Sequence, residues 1–291
     1  MRYTEVAFAK LNLSLDIVSK RNDGYHDLIS VMQSIGLSDE ITIECVPGKG
    51  ITIENSVPYL PEDERNIAVM AALEFFDYTG IQGYQTHIRI EKNIPVCAGL
   101  GGGSADGACV LRMLDRMFDT NLGVATLETI GGAFGSDVPF CVAGGTMLAQ
   151  GKGDILTNLA PIPQSFVVVS TPMFTCSTPE LFALVRCEKI RSRPDTEGIL
   201  AALDSGDLRG IAQRLYNVFE DILPRGSREV EDIKYAMLDN NALGAAMSGS
   251  GPTVFGLFDD ESNAIRAYRH LKKTYNDTFL TRTVESVFVG Y

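Results

Sequence analysis

Four glycines in five positions, Gly99, Gly101, Gly102 and Gly103 around Leu100, stand between Pro95 and Ser104. Glycine gives up more backbone freedom on folding than any other residue, so a cluster this dense marks positive φ angles or very close approach. A helix-like run, SADGACVLRMLDRMF from Ser104 to Phe118, follows directly. At a helix start the unpaired N–H groups and the positive end of the dipole favour an anion, which makes this a phosphate site. It is not a Walker A loop, because no Lys-Ser/Thr follows the last glycine, nor G-x-G-x-x-G, because Ser104 stands at the third glycine. A tight turn for close packing is the other use of such a segment.

Further residues could serve chemistry beside that loop. Lys10 interrupts an apolar, strand-like stretch, and Asp137 lies in GSDVPF between a helix end and an apolar segment. Burying either is costly without a partner. Facing each other near a phosphate loop they would form a phosphoryl-transfer site, the carboxylate as base and the ammonium as electrostatic clamp. Composition alone favours partly exposed strand-end charges. Tyr25-His26, after the turn Asp23-Gly24, offers a stacking face and a ring-edge partner for a flat ligand, or is an ordinary loop pair. Met247-Ser248-Gly249-Ser250-Gly251-Pro252 is a second glycine cluster ahead of a strand and serves equally as a turn. No G-x-S-x-G is formed, the three histidines (His26, His87, His270) have no triad context, and no spacing fits a zinc site.

The elements that must position these residues follow from periodicity. Residues 3–18 alternate as a strand does, and after KRNDG a second segment runs to Leu37. Residues 41–44 and 51–54 flank a Pro/Gly turn and predict a hairpin. Residues 66–78 are apolar round most of a helical circumference, and 87–92 alternate, giving strand, glycine loop, helix. A short helix is expected over 127–134, and FVVVSTP reads as a central strand opening a new unit. The boundary therefore falls near 155–165, giving domains 1–160 and 161–291. Beyond it the pattern predicts helices at 179–187, 196–203, 207–219, 227–240 and 262–275, a strand at 253–258, and a last strand SVFVG at 286–290.

The chain has 291 residues, enough for a sizeable core, and 25 basic against 37 acidic side chains give a net charge of −12. Whole-surface affinity for nucleic acid or an anionic membrane is therefore not expected. The cysteines (Cys45, Cys97, Cys109, Cys141, Cys176, Cys187) are scattered with no C-x-x-C pair, and read as reduced, mostly core residues of a cytoplasmic protein. Lys10 and Asn12 break the N-terminal apolar stretch, which also carries Glu5 and Asp16, so neither a secretory signal nor a transit peptide is expected.

Five segments together resemble the GHMP kinase superfamily and, within it, the kinases that act on 4-diphosphocytidyl-2-C-methyl-D-erythritol. They are Ala9-Lys10-Leu11-Asn12-Leu13, Arg21-Asn22-Asp23-Gly24-Tyr25-His26, Pro95 to Asp106, Gly135-Ser136-Asp137-Val138-Pro139-Phe140 and Met247 to Pro252. The likeness spans nearly the whole chain. It implies an α+β, two-domain architecture with the active site in the cleft between domains, and ATP-dependent phosphorylation of a tertiary 2-hydroxyl in non-mevalonate isoprenoid biosynthesis. It implies Asp137 as general base, with Lys10 orienting it and stabilising charge on the transferring group. Asn12, Tyr25, His26, Thr178 and Phe182 would bind the acceptor, the last four its cytidine end. Pro95, Gly99, Leu100, Gly101, Gly102, Gly103 and Ser104 would wrap the ATP phosphates, with Asn66 and Lys92 nearer the nucleoside. Mg²⁺ is implied without named ligands, and the partners are the small-molecule acceptor and ATP, in a monomer or homodimer. The D-G-Y-H loop argues against another GHMP kinase such as homoserine kinase, and Lys10 with Asp137 against a non-catalytic nucleotide or metabolite sensor. Cys97 stands where the family has glycine or alanine, and Gly107 where alanine is usual.

Overall fold

The computed structural model describes residues 1–223 and 227–288. Strands β1 (Arg2–Lys20) and β2 (His26–Pro47) pair antiparallel along nearly their full length. On β1 the odd positions Ala7 to Ile17 enter the apolar core, and the even positions Lys10, Asn12, Ser14 and Asp16 face the other way. Those polar residues are at most 8% exposed. After β3 (Gly50–Asn55) comes α1 (Ile67–Thr79), then β4 (Tyr84–Glu91), which inserts between β2 and β3. The expected hairpin is therefore corrected: β4 is antiparallel to β2 and parallel to β3. The Gly48 N–H donates to the Gly83 carbonyl (2.9 Å) at the turn, leaving the edge of β2 to β4.

Helix α2 (Gly102–Met117) starts inside the glycine cluster and packs its apolar side on α1 and β1. Gly107 permits that approach, since a Cβ there would lie 2.7 Å from Ile67 Cγ2. Helices α3 (Val124–Gly132) and α4 (Val138–Ala143) lead to β5 (Thr146–Gly151) and β6 (Ile155–Asn158), strands that periodicity did not predict. β5 pairs with residues 28–33 of β2.

The second sheet begins with β7 (Phe166–Ser170). Next come α5 (Thr178–Leu184), α6 (Thr196–Asp204), α7 (Leu208–Ala212), β8 (Tyr216–Asn217), α8 (Ser227–Asp239), β9 (Gly244–Met247), β10 (Val254–Phe258), α9 (Glu261–Leu271) and β11 (Thr278–Arg282). Its order is β11-β7-β10-β9, with β7 central as expected. The helix predicted over 207–219 stops at Ala212: Tyr216 and Asn217 pair in parallel with Ser14 and Leu15 of β1, and Val218–Ile222 is a 3-10 turn. There Asn217 Oδ1 accepts the Phe219 N–H, a local bond that competes with helix. Among the described residues the last strand is β11; of the strand expected at 286–290, residues 286–288 lie outside any strand and 289–290 fall outside the described residues. One apolar cluster runs through both sheets, bringing Val167, Val169, Phe255 and Leu257 together with Leu11, Val31 and Ile35, and a second joins Leu15 and Ile17 of β1 to Val168, Phe219 and Val230. The architecture is the expected α+β one. Among the described residues no helix is long and apolar enough to cross a membrane.

Candidate active site

Lys10 and Asp137 meet. Lys10 Nζ lies 3.3 Å from Asp137 Oδ2, the lysine side chain 4% exposed and the aspartate 35%. The lysine is buried by its place on the covered face of β1, while the carboxylate opens to solvent at the start of α4 and makes no cap hydrogen bond there. Lys10 Nζ also donates to Asn12 Oδ1 (2.7 Å), whose Nδ2 donates to Ser30 Oγ (2.8 Å), which donates on to the Ser14 carbonyl (2.6 Å). That relay fixes the ammonium, leaving it free to serve the carboxylate and a further anion.

The glycine loop closes over the same lysine. The Lys10 N–H donates to the Leu100 carbonyl (3.0 Å), and a Cβ on Gly101 would stand 2.9 Å from Lys10 Cγ. Gly101, at φ +69°, turns the chain into α2, whose first intrahelical bond runs from the Ala105 N–H to the Gly101 carbonyl (2.8 Å). The N–H groups of Gly102, Gly103 and Ser104 precede it and form the open end of the helix. The second glycine cluster packs onto this loop, a use beyond a plain turn. A Cβ on Gly99 would be 2.1 Å from the Ser248 carbonyl, Ser248 Oγ donates to the Gly99 carbonyl (2.9 Å), and the Thr253 N–H to that of Ala98 (3.2 Å). Cys97, exposed at φ +55°, explains why glycine suits its position, and it is an exception to the core reading of the cysteines. All six are free; Cys45, Cys109 and Cys141 are buried, Cys176 and Cys187 half-buried.

Behind the loop lies a charge cluster that sequence reasoning missed. Lys92 Nζ donates to Asp39 and to Asp106 (2.7 Å), all three side chains at most 5% exposed. Burial pushes the Asp106 carboxyl up to about 8, a rise that Lys92 opposes and Asp39 reinforces. Burial works against the Lys92 charge, but the two carboxylates outweigh it and raise its pKa. A Cβ on Gly102 would stand 3.4 Å from Lys92 Nζ, so this lysine lies beneath the loop. Asn66 caps α1, its Oδ1 accepting from the Ala68 N–H (3.0 Å) and its Nδ2 donating to the Pro61 carbonyl (3.0 Å). The one signal for the cluster was Asp106, an acid among the small residues of the helix's first turns.

An aromatic cluster gathers at the start of β2. The His26 and Phe182 rings are 5.3 Å apart, and Phe182 meets Phe219 edge-on at 5.0 Å. Burial first, and Lys20 second, lower the His26 pKa, so its imidazole is neutral at pH 7. Thr178 Oγ1 shares a hydrogen bond with Ser250 Oγ (2.6 Å), which ties α5 to the second glycine cluster. Tyr25 is 61% exposed with Lys152 Nζ 5.2 Å from its ring centroid. Sequence reasoning also missed Ser30 and Asn217, the latter inside an expected helix, and named Ser248 in the second glycine cluster without a role.

Comparison with known proteins accords with this arrangement. Residues 66–145 match the GHMP kinases N terminal domain, and residues 199–277 match GHMP kinases C terminal. The 4-diphosphocytidyl-2-C-methyl-D-erythritol kinase of Clostridium botulinum is 41% identical over 278 residues, 96% of this chain and 99% of the relative. That of Caldicellulosiruptor bescii is 40% identical over 280 residues, 96% and 97% of the two chains. A crystal structure of 4-(cytidine 5'-diphospho)-2C-methyl-D-erythritol kinase superposes with TM-score 0.82 at 31% identity, covering 97% of this chain and 99% of its own. Homoserine kinase from Cytophaga hutchinsonii, at TM-score 0.73 and 20% identity over 97% and 95% of the two chains, shares the fold. The chain belongs to the 4-diphosphocytidyl-2-C-methyl-D-erythritol kinase family of the GHMP kinases.

Proposed function

We propose that this chain transfers the γ-phosphoryl group of ATP to the tertiary 2-hydroxyl of 4-diphosphocytidyl-2-C-methyl-D-erythritol, in non-mevalonate isoprenoid biosynthesis. The observation that carries the roles is the Lys10–Asp137 pair at 3.3 Å beside the open end of α2. Asp137 takes the proton of the acceptor hydroxyl as its oxygen bonds to the γ-phosphorus. The bond from that phosphorus to the β–γ bridging oxygen breaks, and ADP leaves. Lys10, held by Asn12, keeps the carboxylate oriented and offsets charge on the transferring group. The backbone N–H groups of Gly102, Gly103 and Ser104 receive the triphosphate.

Lys92 braces that loop from beneath, and Asn66 fixes the start of α1 beside it. His26, Phe182, Thr178 and Tyr25 hold the cytidine, the neutral imidazole offering a ring-edge partner and Tyr25 a stacking face. Residues 1–160 supply the loop and the base as one domain, and 161–291 cover the site as the second. Magnesium accompanying ATP would take most of its ligands from phosphate and water. The test is coupled ADP release over a panel of acceptors. The cytidylyl acceptor should turn over, while 2-C-methyl-D-erythritol 4-phosphate, homoserine and mevalonate should not. Equal turnover of the acceptor lacking the nucleotide would remove the cytidine pocket.

A further inference from the structure

We infer that Asn217 is a positioning residue for Lys10, acting through the second glycine cluster; this rests on the role just proposed for Lys10. Asn217 is fully buried on the two-residue strand β8, among the described residues the one strand beyond residue 160 that joins the first sheet. Its Nδ2 donates to two carbonyls, those of Met247 (2.9 Å) and Gly249 (2.8 Å), while its Oδ1 accepts the Phe219 N–H (3.0 Å). A primary amide has two N–H groups, so both are committed to the backbone of one loop. Beside it, Glu220 Oε1 accepts the Met247 N–H (2.8 Å), so the same short segment holds both the N–H and the carbonyl of Met247.

What the loop touches gives the grip its consequence. Gly249, at φ +56°, lies so close that a Cβ there would be 3.0 Å from the Gly99 carbonyl oxygen and 3.4 Å from Lys10 Nζ. Ser248 Oγ donates to the Gly99 carbonyl (2.9 Å) and accepts the Asn12 N–H (3.2 Å), the residue whose side chain holds the Lys10 ammonium. Asn217 therefore sets the wall against which Lys10 rests. Neighbouring carbonyls freed from it would let that wall, and the ammonium, move away from Asp137.

The test compares Asn217→Ala and Ser248→Ala with Val230→Ala, which loosens the apolar core under α8 without touching the glycine loop. Steady-state kinetics with ATP and the cytidylyl acceptor are run with calorimetry of a non-hydrolysable ATP analogue and thermal melts. For Asn217→Ala and Ser248→Ala we expect kcat to fall about 10- to 100-fold while KM values and analogue affinity stay within about threefold. Val230→Ala should lower the melting temperature and leave kcat within about twofold of wild type. If Asn217→Ala does not fold, the same readings on Ser248→Ala decide. A kcat within about twofold of wild type, or a fall in kcat that Val230→Ala shares, overturns the inference while the kinase assignment stands. A wild-type chain that phosphorylates no acceptor removes both.

Discussion

Gly99→Ala and Gly80→Ala make a pair that separates backbone strain from site geometry. Both glycines have positive φ, +82° and +68°, so alanine in either place costs about 1–2 kcal/mol of left-handed strain. Gly80 follows α1 with nothing within 4 Å of a new Cβ, and its cost ends there. At Gly99 the Cβ would fall 2.1 Å from the Ser248 carbonyl oxygen, which must retreat by more than ~1 Å to reach ordinary contact. That retreat pulls on the Ser248 Oγ–Gly99 and Thr253 N–H–Ala98 hydrogen bonds, each worth about 1 kcal/mol, for a total near ~3–4 kcal/mol. At roughly 2–4 °C per kcal/mol, Gly80→Ala should melt about 2–8 °C early and Gly99→Ala about 6–16 °C early. The larger difference is in rate, because moving the loop by an ångström beside Lys10 should lower kcat by about 10²-fold. Scanning calorimetry and coupled ADP release read both quantities. Equal activity in the two variants would refute the claim that the contact between the two glycine clusters shapes the site.

Gly107→Ala gains about 1 kcal/mol of helix propensity but drives a Cβ to 2.7 Å from Ile67 Cγ2, so a net loss of stability is expected by thermal melting. Asp106, raised from 3.8 to about 8, binds a proton in the folded chain that the unfolded chain releases. The stability it confers is present at low pH and is lost as pH rises through about 8, so Asp106→Asn should flatten the melting temperature between about pH 5 and pH 8. Tyr25→Ala should lower kcat/KM for the cytidylyl acceptor by about 5- to 150-fold, while calorimetry of an ATP analogue stays near wild type.

How far the sequence disclosed this arrangement varies with the length of each signal. The glycine loop was legible because its density admits few uses, and long alternating or helical runs found β1, α1, α2 and β7. Lys10 and Asp137 were assigned only through the family resemblance, since a single charge in an apolar stretch does not name its partner across 127 residues, the separation of positions 10 and 137. Strand order was hidden as well. The turn at 47–50 looks like a hairpin because nothing local tells that β4, thirty residues on, will take the edge of β2. β8 is two residues long, too short for any period, and Asn217 with it was invisible. Lys92, Asp39 and Asp106 converge from three separate segments, a feature that only tertiary packing creates.

The central claim is that Asp137 is the base of a phosphoryl transfer to a cytidylyl acceptor. Asp137→Asn keeps the shape at 3.3 Å from Lys10 and removes the proton acceptor. Turnover of the cytidylyl acceptor should fall by about 10²–10⁴-fold, while the affinity for a non-hydrolysable ATP analogue remains near wild type. Equal turnover by the two proteins would contradict the account and remove Asp137 from the mechanism.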